Sequence, residues 1–477
     1  MPSDTTLLTI LHTNDLHARI EKLPFISAMV KRIRQEVADQ GGHTLLWDAG
    51  DAEDRILLES DVTKGAAIVA MMNAVGYDAA ALGNATVVTY GPDNLQRLAE
   101  AANFPIVVAN LSWSETGQVV EGAVPYQLLE LGGIKLGVVG LTAPFDAYAI
   151  FGTQSFNAPA VVSELVRHLR EQGASVIAVL SHLGLEGDKA LAQEVDGIHL
   201  IVGGHSHDTL EQPLEVNDTL IAQAGAYGNR VGRIDLEIDN SSGRILRRTS
   251  RLIPVDTSEV DDRVVEAIEE QITLVQGLLS RPVGQTTTFL NLNYFQECAL
   301  GNFMADVLRD RMKTEIAFVV TGMLDEAIQA GIMTFGDLCR ASSSTANPGR
   351  AELSGKEILE TLNYGLRPEV TEERPAPLRG NPQGILQVSG LEITYDPYTD
   401  PNEQVIEVLV GTEPLDLERR YSAAATDWEL GELTAYTHLD QREVTYDVPT
   451  IVREAMEEYL VAYSPVSVTV EGRIHPP

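Results

Sequence analysis

The chain is poor in cysteine, and no part of it is a long hydrophobic run. Two cysteines in 477 residues, Cys298 and Cys339, are too few for a disulfide scaffold, and their spacing fits neither a zinc ribbon nor a redox CxxC motif. No stretch approaches the roughly 18 uninterrupted apolar residues of a membrane span. The sequence therefore predicts a soluble protein with no membrane partner.

Positive charge is also scarce. The 34 Lys and Arg residues face 69 Asp and Glu residues, which gives a formal net charge of −35. A field of this sign repels polyanions, so we expect no nucleic acid polymer as a partner. A small phosphorylated substrate stays compatible with this charge, because two divalent ions in a pocket reverse the local sign.

The N-terminus lacks the features of a secretory leader. Residues Met1 to Thr6 run directly into the apolar segment Leu7 to Leu11, without a basic region or a hydrophobic region of secretory length. We therefore expect a cytoplasmic location, although a trimmed precursor would begin in the same way. Neither the oligomeric state nor any movement of domains can be read from the sequence.

The length of the chain predicts two domains, since one hydrophobic core rarely organises this many residues. In the first half, short apolar runs alternate with longer amphipathic segments, as in a layered α/β fold. The predicted strands are Leu7 to Leu11, Thr44 to Trp47, Ala79 to Leu82, Ile106 to Val108, Leu136 to Val139, Val176 to Leu180 and His199 to Val202. The predicted helices are Phe25 to Gln40, Gly65 to Val75, Pro92 to Ala102, Ala160 to Gln172 and Lys189 to Val195.

The second half reads as a linker followed by a second α/β region. Residues Ile221 to Ile238 resemble a closing pair of strands, and Ser258 to Ser280 has a helical pattern that we interpret as the linker. The segment Leu366 to Gly384, rich in Pro, Arg and Glu, is predicted to be an exposed loop. Beyond the linker we predict a helix over Ala299 to Met312 and strands over Glu315 to Val320, Leu386 to Tyr395, Val405 to Val410 and Tyr421 to Ala425.

Side chains suited to metal binding follow five of the predicted strands. Two of these sites are pairs spaced i, i+2, and side chains with this spacing point the same way along extended chain. Glycines beside several of these residues allow the backbone and an ion to approach closely. The candidate ligands are Asp15, His17, Asp51, Asn84, His182, His205 and His207. Seven oxygen and nitrogen donors of this kind can clamp two divalent cations, which polarise a phosphoryl oxygen and activate a water for in-line attack.

These blocks carry a resemblance to a known family. The succession ILHTNDLH, LLWDAGD, ALGN, VLSHLG and GGHSH resembles the five blocks of the 5'-nucleotidase branch of calcineurin-like metallophosphoesterases. Downstream, QAGAYGNRVGRIDLEI resembles the stretch that closes the family's catalytic domain, and NFMADVLRD with LQVSGLEITYDP resembles its C-terminal domain. The likeness covers nearly the whole chain.

The resemblance implies a fold, a domain division and an assignment of ligands to ions. The implied fold is a four-layered α/β/β/α metallophosphoesterase domain (residues 1–254), a linker helix (255–283) and a 5'-nucleotidase C-terminal α/β domain for substrate binding (284–477). One ion would be held by Asp15, His17, Asp51 and His207, and the other by Asp51, Asn84, His182 and His205. Asp51 would bridge two divalent ions, for which zinc, manganese, iron and cobalt are all suitable.

The sequence departs from the family at the leaving-group side of the site. The family block GNHEFDYG, whose histidine assists the leaving group and is held by the aspartate, reads GNATVVTYG here. Ala85 occupies the histidine position, and Val88 or Thr89 occupies that of the aspartate. Loss of a general acid typically lowers the rate about 10²- to 10⁴-fold, so substrates with good leaving groups should suffer least. We consider His12, His43 and Glu53 as replacement acids, although each is more often structural.

The second domain departs from the family as well. The family stretch NGGGIR, which supplies a phosphate-binding arginine, corresponds to TGMLDEAI, so Asp325 lies near the expected cation. The family's base-stacking PFGN corresponds to Ser343–Ala346, and its GGDGY corresponds to Glu432–Tyr436, which leaves Tyr436 as the candidate substrate-binding surface. A base needs flat apolar faces and a phosphate needs a fork of donors. We therefore expect a substrate other than a common nucleoside monophosphate.

The leading hypothesis is a metal-dependent phosphoester hydrolase that acts on a small phosphorylated molecule. Ala85 and Asp325 favour an alternative, a non-catalytic member of the family that keeps its ions for binding. A third hypothesis, a hydrolase that uses Ser181, His182 and Asp188, lacks the GxSxG motif. Hydrolysis of sulfur- or sugar-linked esters at the same centre is a further alternative, because one fold can host varied chemistry.

Overall fold

The computed structural model describes residues 5–431 and 435–476, apart from the side chain of Arg442, and the chain forms two compact units. The units comprise Met1–Val275 and Gln276–Pro477, and the division falls inside the helix Asp262–Leu279. This helix lies within the stretch predicted as a linker, and the exact boundaries given above stay predictions. None of the described helices is long and apolar enough to cross a membrane.

The N-terminal unit alternates strands and helices along most of its length. Its strands are β1 (Thr5–Thr13), β2 (His43–Asp48), β3 (Ala79–Ala81), β4 (Ile106–Val107), β5 (Leu111–Trp113), β6 (Ala123–Val124), β7 (Tyr126–Leu131), β8 (Ile134–Thr142), β9 (Thr153–Ser155), β10 (Val176–His182), β11 (Leu200–Gly203), β12 (Leu214–Val216), β13 (Thr219–Gln223), β14 (Arg230–Asp239) and β15 (Ile245–Pro254). Its helices are α1 (Leu23–Asp39), α2 (Leu58–Val62), α3 (Ala66–Val75), α4 (Asn84–Tyr90), α5 (Asp93–Ala101), α6 (Ala158–Glu171) and α7 (Leu185–Glu194), and α8 (Asp262–Leu279) follows.

Two sheets packed face to face form the centre of this unit. The first has the strand order β15-β14-β1-β2-β3-β4-β6 and the second β12-β13-β11-β10-β8-β7. Apolar side chains such as Ile10 and Leu180 fill the space between them. Helices α1 and α3 bury residues such as Val30 and Met72 on one outer face, and α6 and α7 bury Val162 and Leu191 on the other. The predicted four-layered α/β/β/α arrangement is thus confirmed.

The seven strands predicted in the first half are all present, but the predicted closing pair is wrong. Within Ile221 to Ile238, β13 belongs to the second sheet, where it pairs with β11 and β12. Strand β14 belongs to the first sheet and pairs with β1 and with β15, a strand that the sequence analysis missed. The turn between β13 and β14 therefore passes the chain from one sheet to the other.

The C-terminal unit contains a five-stranded sheet, β20-β17-β24-β19-β25, and a four-stranded sheet, β23-β22-β21-β26. Its strands are β16 (Pro282–Thr286), β17 (Ile316–Val320), β18 (Gly331–Thr334), β19 (Pro348–Ser354), β20 (Leu386–Ser389), β21 (Leu391–Tyr395), β22 (Val405–Val410), β23 (Glu413–Pro414), β24 (Arg420–Thr426), β25 (Thr445–Tyr446) and β26 (Ile474–His475). Its helices are α9 (Ala299–Met312), α10 (Phe335–Ala341), α11 (Gly355–Gly365), α12 (Pro368–Thr371), α13 (Asp427–Leu430) and α14 (Val452–Tyr463).

Two predictions in this unit are corrected by the structure. The single strand predicted over Leu386 to Tyr395 is two strands in different sheets, because the chain turns at Gly390, whose φ is +75°. The predicted exposed loop Leu366 to Gly384 contains α12 and a short 3-10 helix, and Val370, Leu378 and Gln383 are buried. The buried apolar residues hold this segment against the rest of the unit. Its polar composition alone therefore does not predict its burial.

The two cysteines form no disulfide. Cys298 is fully buried, and burial raises the pKa of its thiol. Cys339 lies on α10 and is half-buried.

Candidate metal centre

The candidate ligands meet at one edge of the N-terminal unit. Strands β1, β2 and β3 run parallel in the first sheet, and β10 and β11 run parallel in the second. Each of these five strands ends at or just before a predicted ligand. Because the carboxyl ends of parallel strands lie at the same edge, side chains from both sheets are brought together there.

The first group of converging donors comprises Asp15, His17 and His207, whose ligand atoms all lie within 4.8 Å of one another. His207 Nε2 is 3.3 Å from Asp15 Oδ1 and 3.1 Å from His17 Nε2. Two facing imidazole nitrogens share one hydrogen bond only when one of them carries the proton. When both are unprotonated, a cation is the group that satisfies them, so this group suits a metal ion.

The second group comprises Asp51, His182 and His205, again within 4.8 Å of one another. His182 Nε2 lies 3.1 Å from Asp51 Oδ2, but this buried nitrogen has no hydrogen-bond partner of correct geometry among the described residues. The Oδ1 atom of Asn84, which begins α4, is likewise buried without a partner. Buried polar atoms are rarely left unsatisfied, and a bound cation would supply the missing partner for both. The residues present therefore fit a second ion.

Hydrogen bonds to the far side of the imidazoles orient them toward the centre. His17 Nδ1 is 3.1 Å from the Asp54 carboxylate, and His182 Nδ1 is 2.6 Å from the carbonyl of Ala49. Donation from Nδ1 in each case leaves Nε2 as the lone-pair donor for an ion. Burial alone lowers the pKa of His182, but the Asp51 carboxylate outweighs it and raises that pKa to about 9. The pocket thus stabilises positive charge.

Five of the seven candidate ligands adopt left-handed backbone conformations. The φ angles of Asp15, His17, Asp51, His205 and His207 lie between +45° and +76°. Such conformations are strained for non-glycine residues and concentrate at functional sites. They also correct the sequence argument, because these side chains converge through turns that follow the strands and not through alternation along extended chain. His205 and His207 even join different groups.

Two glycines are required by the close approach of the loops. A Cβ atom at Gly83 would lie 1.9 Å from Asp51 Oδ1, and one at Gly50 would lie 2.6 Å from His182 Nδ1. Gly50 also has a φ of +100°. Any side chain at either position would displace a candidate ligand.

Ala85, at the position of the family's histidine, is partly exposed to solvent. Ala85 is half-buried at the start of α4, and its amide donates to Asp51 Oδ1 at 3.0 Å. At the position expected for the aspartate, Thr89 lies on α4, and its carbonyl accepts a hydrogen bond from Arg55. A side chain at position 85 would therefore begin beside the second group.

Among the replacement acids considered, Glu53 alone lies at the wall of the site. His12 is fully buried on β1, and burial lowers its pKa to about 4. His43 begins β2, at the end of the strand opposite Asp48. Glu53 is buried two residues after Asp51, accepts a hydrogen bond from Thr86 Oγ1 at 3.0 Å, and has a pKa raised by burial.

The serine hydrolase arrangement finds no support. Ser181 Oγ donates to Asp188 Oδ1, and the adjacent imidazole of His182 is bonded to a carbonyl instead. Ser181 and Asp188 are both buried. The hydroxyl therefore connects β10 to α7 and does not face a substrate.

Sequence reasoning overlooked the residues that surround the ligands. Asp54 lies only three positions after Asp51, and this proximity was the available signal for it. Tyr227 contacts two candidate ligands, with ring-centroid distances of 5.8 Å to His17 and 5.5 Å to His207. Tyr227 lies within the stretch QAGAYGNRVGRIDLEI, but no spacing of residue types in the sequence indicated a role for it.

In the C-terminal unit, the predicted substrate residues serve the local structure. Asp325 accepts from the backbone N–H of Ser343 at 2.7 Å and from Asn381 Nδ2 at 2.8 Å. Tyr436 is 3% exposed, and its hydroxyl accepts from Gln383 Nε2 at 2.7 Å. Glu432, Leu433 and Thr434 lie outside the described residues. Stacking of a substrate on Tyr436 stays a prediction, and it requires this ring to become more exposed.

Comparison with known proteins agrees with this geometry. A calcineurin-like phosphoesterase model matches residues 8–209, and a model of the 5'-nucleotidase C-terminal domain matches residues 282–441. The uncharacterized metallophosphoesterase YunD of Bacillus subtilis (strain 168) is 29% identical over 455 residues, covering 94% of this chain and 98% of the relative. The 5'-nucleotidase of Vibrio parahaemolyticus is 26% identical over 531 residues, covering 98% and 91%. The crystal structure of a 5'-nucleotidase precursor from Thermus thermophilus superposes with a TM-score of 0.54 at 25% identity, covering 98% and 99%.

Fold and candidate ligands together define a metallophosphoesterase unit joined to a second α/β unit. The chain belongs to the calcineurin-like phosphoesterases that carry a 5'-nucleotidase C-terminal domain, a family of ester-bond hydrolases, as the sequence blocks predicted.

Proposed function

We propose that this protein hydrolyses a phosphoester of a small molecule other than a common nucleoside monophosphate, at a centre of two divalent ions. The observation that supports this proposal is the pair of converging ligand groups, together with His182 Nε2 and Asn84 Oδ1, which are buried with no hydrogen-bond partner among the described residues. When bound, two such ions polarise a phosphoryl oxygen and lower the pKa of a water so that it can attack in line.

The ligand assignment follows the grouping of the side chains. Asp15, His17 and His207 would hold one ion, and His182, His205 and Asn84 the other, with Asp51 shared between them. Asp54 and the carbonyl of Ala49 keep the imidazoles in the required orientation. Zinc, manganese, iron and cobalt all suit this mixture of nitrogen and oxygen donors, so availability would decide the metal.

The proposed substrate class is inferred from the residues that stand at the family's catalytic and substrate-binding positions. The methyl group of Ala85 cannot donate a proton to a leaving group, which favours esters whose leaving groups need little protonation. Asp325 places a carboxylate where the family has a phosphate-binding arginine, and Tyr436 is nearly buried. Neither feature favours a nucleoside monophosphate.

Hydrolysis assays on purified protein test this proposal. With manganese, cobalt or zinc present, 4-nitrophenyl phosphate or its diester should be hydrolysed faster than adenosine monophosphate. The variants D51A and H182A should lose this activity, while D196A, which removes an exposed carboxylate on the loop between α7 and β11, should keep it. Absence of turnover with every metal would contradict the proposal.

A second candidate function is binding without catalysis. Ala85 and Asp325 favour it, because Ala85 replaces the family's histidine and Asp325 lies near the position of its phosphate-binding arginine. In that case calorimetry would show tight binding of two ions, and a broad panel of phosphoesters would remain unhydrolysed.

A further inference from the structure

An exposed arginine, Arg19, lies near the first ligand group with no ion pair to any described residue. The guanidinium of Arg19 lies over the ring of Tyr227, 5.2 Å from its centroid. It makes no ion pair or side-chain hydrogen bond with the described residues. Arg233 of the same unit, by contrast, is held by Asp235 and Glu36. The N–H donors of this guanidinium are therefore open to a ligand.

Arg19 lies near the centre through its contact with Tyr227. Tyr227 contacts both His17 and His207, so the guanidinium lies one aromatic ring away from two candidate ligands. The backbone N–H of Tyr227 donates to the carbonyl of Asp15 at 2.8 Å. Tyr227 also has a φ of +62°, which is strained for a tyrosine. A ring held in this way, with 39% of its surface exposed, presents Arg19 at the rim of the centre.

We infer that Arg19, supported by Tyr227, is a substrate-binding residue that recognises an anionic oxygen of the phosphoester. This inference rests on the proposed function and deepens it. A guanidinium offers a planar fork of donors that matches phosphate and carboxylate oxygens. Arg19 is a cation of the N-terminal unit, whereas the C-terminal unit has Asp325 near the position of the family's arginine. The oxygen belongs either to the phosphoryl group or to a second acidic group on the substrate.

Calorimetric titration of the manganese-loaded protein separates these two sources. The probes are phenylphosphonate and 4-carboxyphenylphosphonate, which are not hydrolysed and differ by one carboxylate. Loss of a charge-assisted hydrogen bond should weaken binding about 10- to 100-fold in R19A. Equal weakening of both probes identifies the phosphoryl oxygen, and weakening confined to the carboxylated probe identifies the second acidic group.

Matched variants distinguish substrate binding from a structural role. The exposed Arg167 on α6 pairs only with Glu171 among the described residues, so R167A should bind both probes as the wild type does. Y227F keeps the ring and should also match the wild type, whereas Y227A should resemble R19A. Every variant should retain two manganese ions per chain by elemental analysis.

The outcomes also separate this inference from the proposed function. If both probes bind R19A as tightly as the wild type, or if neither binds the wild type, Arg19 is not a substrate-binding residue. If binding depends on Arg19 while no phosphoester is hydrolysed, the inference stands and the proposed catalysis fails. Where hydrolysis occurs, R19A should raise KM more than it lowers kcat.

Discussion

Ala85 is the residue whose replacement should change how the rate depends on the leaving group. Its Cβ begins beside the second ligand group, where the family has a histidine. In A85H we expect hydrolysis of phenyl phosphate, a poor leaving group, to rise at least about 10-fold, since general acid catalysis typically contributes 10²- to 10⁴-fold. Hydrolysis of 4-nitrophenyl phosphate, which needs little protonation, should change much less. Steady-state rates over a series of substituted phenyl phosphates measure this difference.

The matched control is A85N, which adds a polar side chain of intermediate size without a group that titrates near neutral pH. It should leave the dependence of rate on leaving group unchanged. An equal rise for good and poor leaving groups in A85H would contradict the role assigned to this position.

At the scale of single residues, the identity of the ligands was predictable and their conformation was not. Residue type and position after an apolar run pointed to Asp15 and His17. The sequence could not show that both would adopt left-handed backbone conformations, because aspartate and histidine, although enriched in that region, mostly adopt other conformations. Tyr436 shows the opposite case, where an aromatic residue in the expected place proves to be buried.

At the scale of secondary structure elements, Glu429 links a helix to two strands of the five-stranded sheet. Its carboxylate accepts from the backbone N–H of Val320 on β17 at 2.7 Å. It also accepts from the backbone N–H and the hydroxyl of Thr426, the last residue of β24 and the N-cap of α13, at 2.9 and 2.5 Å. Burial raises the pKa of Glu429 to about 7. The protonated form is therefore favoured in the folded state.

This raised pKa predicts a loss of stability with increasing pH. The pKa of Glu429 in the folded state exceeds its unfolded value of 4.5. The stabilisation that comes from the protonated carboxyl group is therefore fully present below pH 4.5 and is lost as the pH rises through about 7. The loss for the C-terminal unit should be on the order of 3 kcal/mol. Denaturant unfolding at pH 5 and pH 8, followed by the fluorescence of Trp428, measures it.

The variant E429Q should unfold more easily at pH 5, since the amide satisfies fewer of the three donors. Its stability should nevertheless change little between pH 5 and pH 8. The control E369Q alters an exposed carboxyl on α12 and should keep the pH dependence of the wild type. Equal slopes for E429Q and the wild type would show that another group causes the effect.

The elements themselves were predictable where one periodic pattern dominated. Helix α9 matches its predicted bounds, because apolar residues recur along one face over four turns. The short strands β5, β6 and β9 were missed, since two or three residues carry no period. Strands β20 and β21 were merged because a single glycine, Gly390, separates two apolar runs that join different sheets.

At the scale of the whole molecule, the ions should stabilise the N-terminal unit selectively. Metal binds the folded state through residues that are far apart in the unfolded chain, so it stabilises by about 4 kcal/mol at a 1,000-fold excess over its Kd. Removal by EDTA should therefore lower the unfolding temperature of the N-terminal unit and leave that of the C-terminal unit unchanged. Differential scanning calorimetry, with Trp47 and Trp428 fluorescence to assign the transitions, resolves the two.

In D51A the same treatment should have a much smaller effect, because the residue shared by both groups is gone. If EDTA destabilises D51A as much as the wild type, the ions bind elsewhere. A shift of the C-terminal transition would place a metal site in that unit instead.

The unequal burial of the two cysteines makes the native chain suitable for site-directed labelling. A maleimide spin label should react with the half-buried Cys339 and leave the enclosed Cys298 unmodified. The label would then reside in one unit, while paramagnetic manganese would reside in the other. Relaxation measurements between the two would report how the units are arranged in solution, without any engineered substitution.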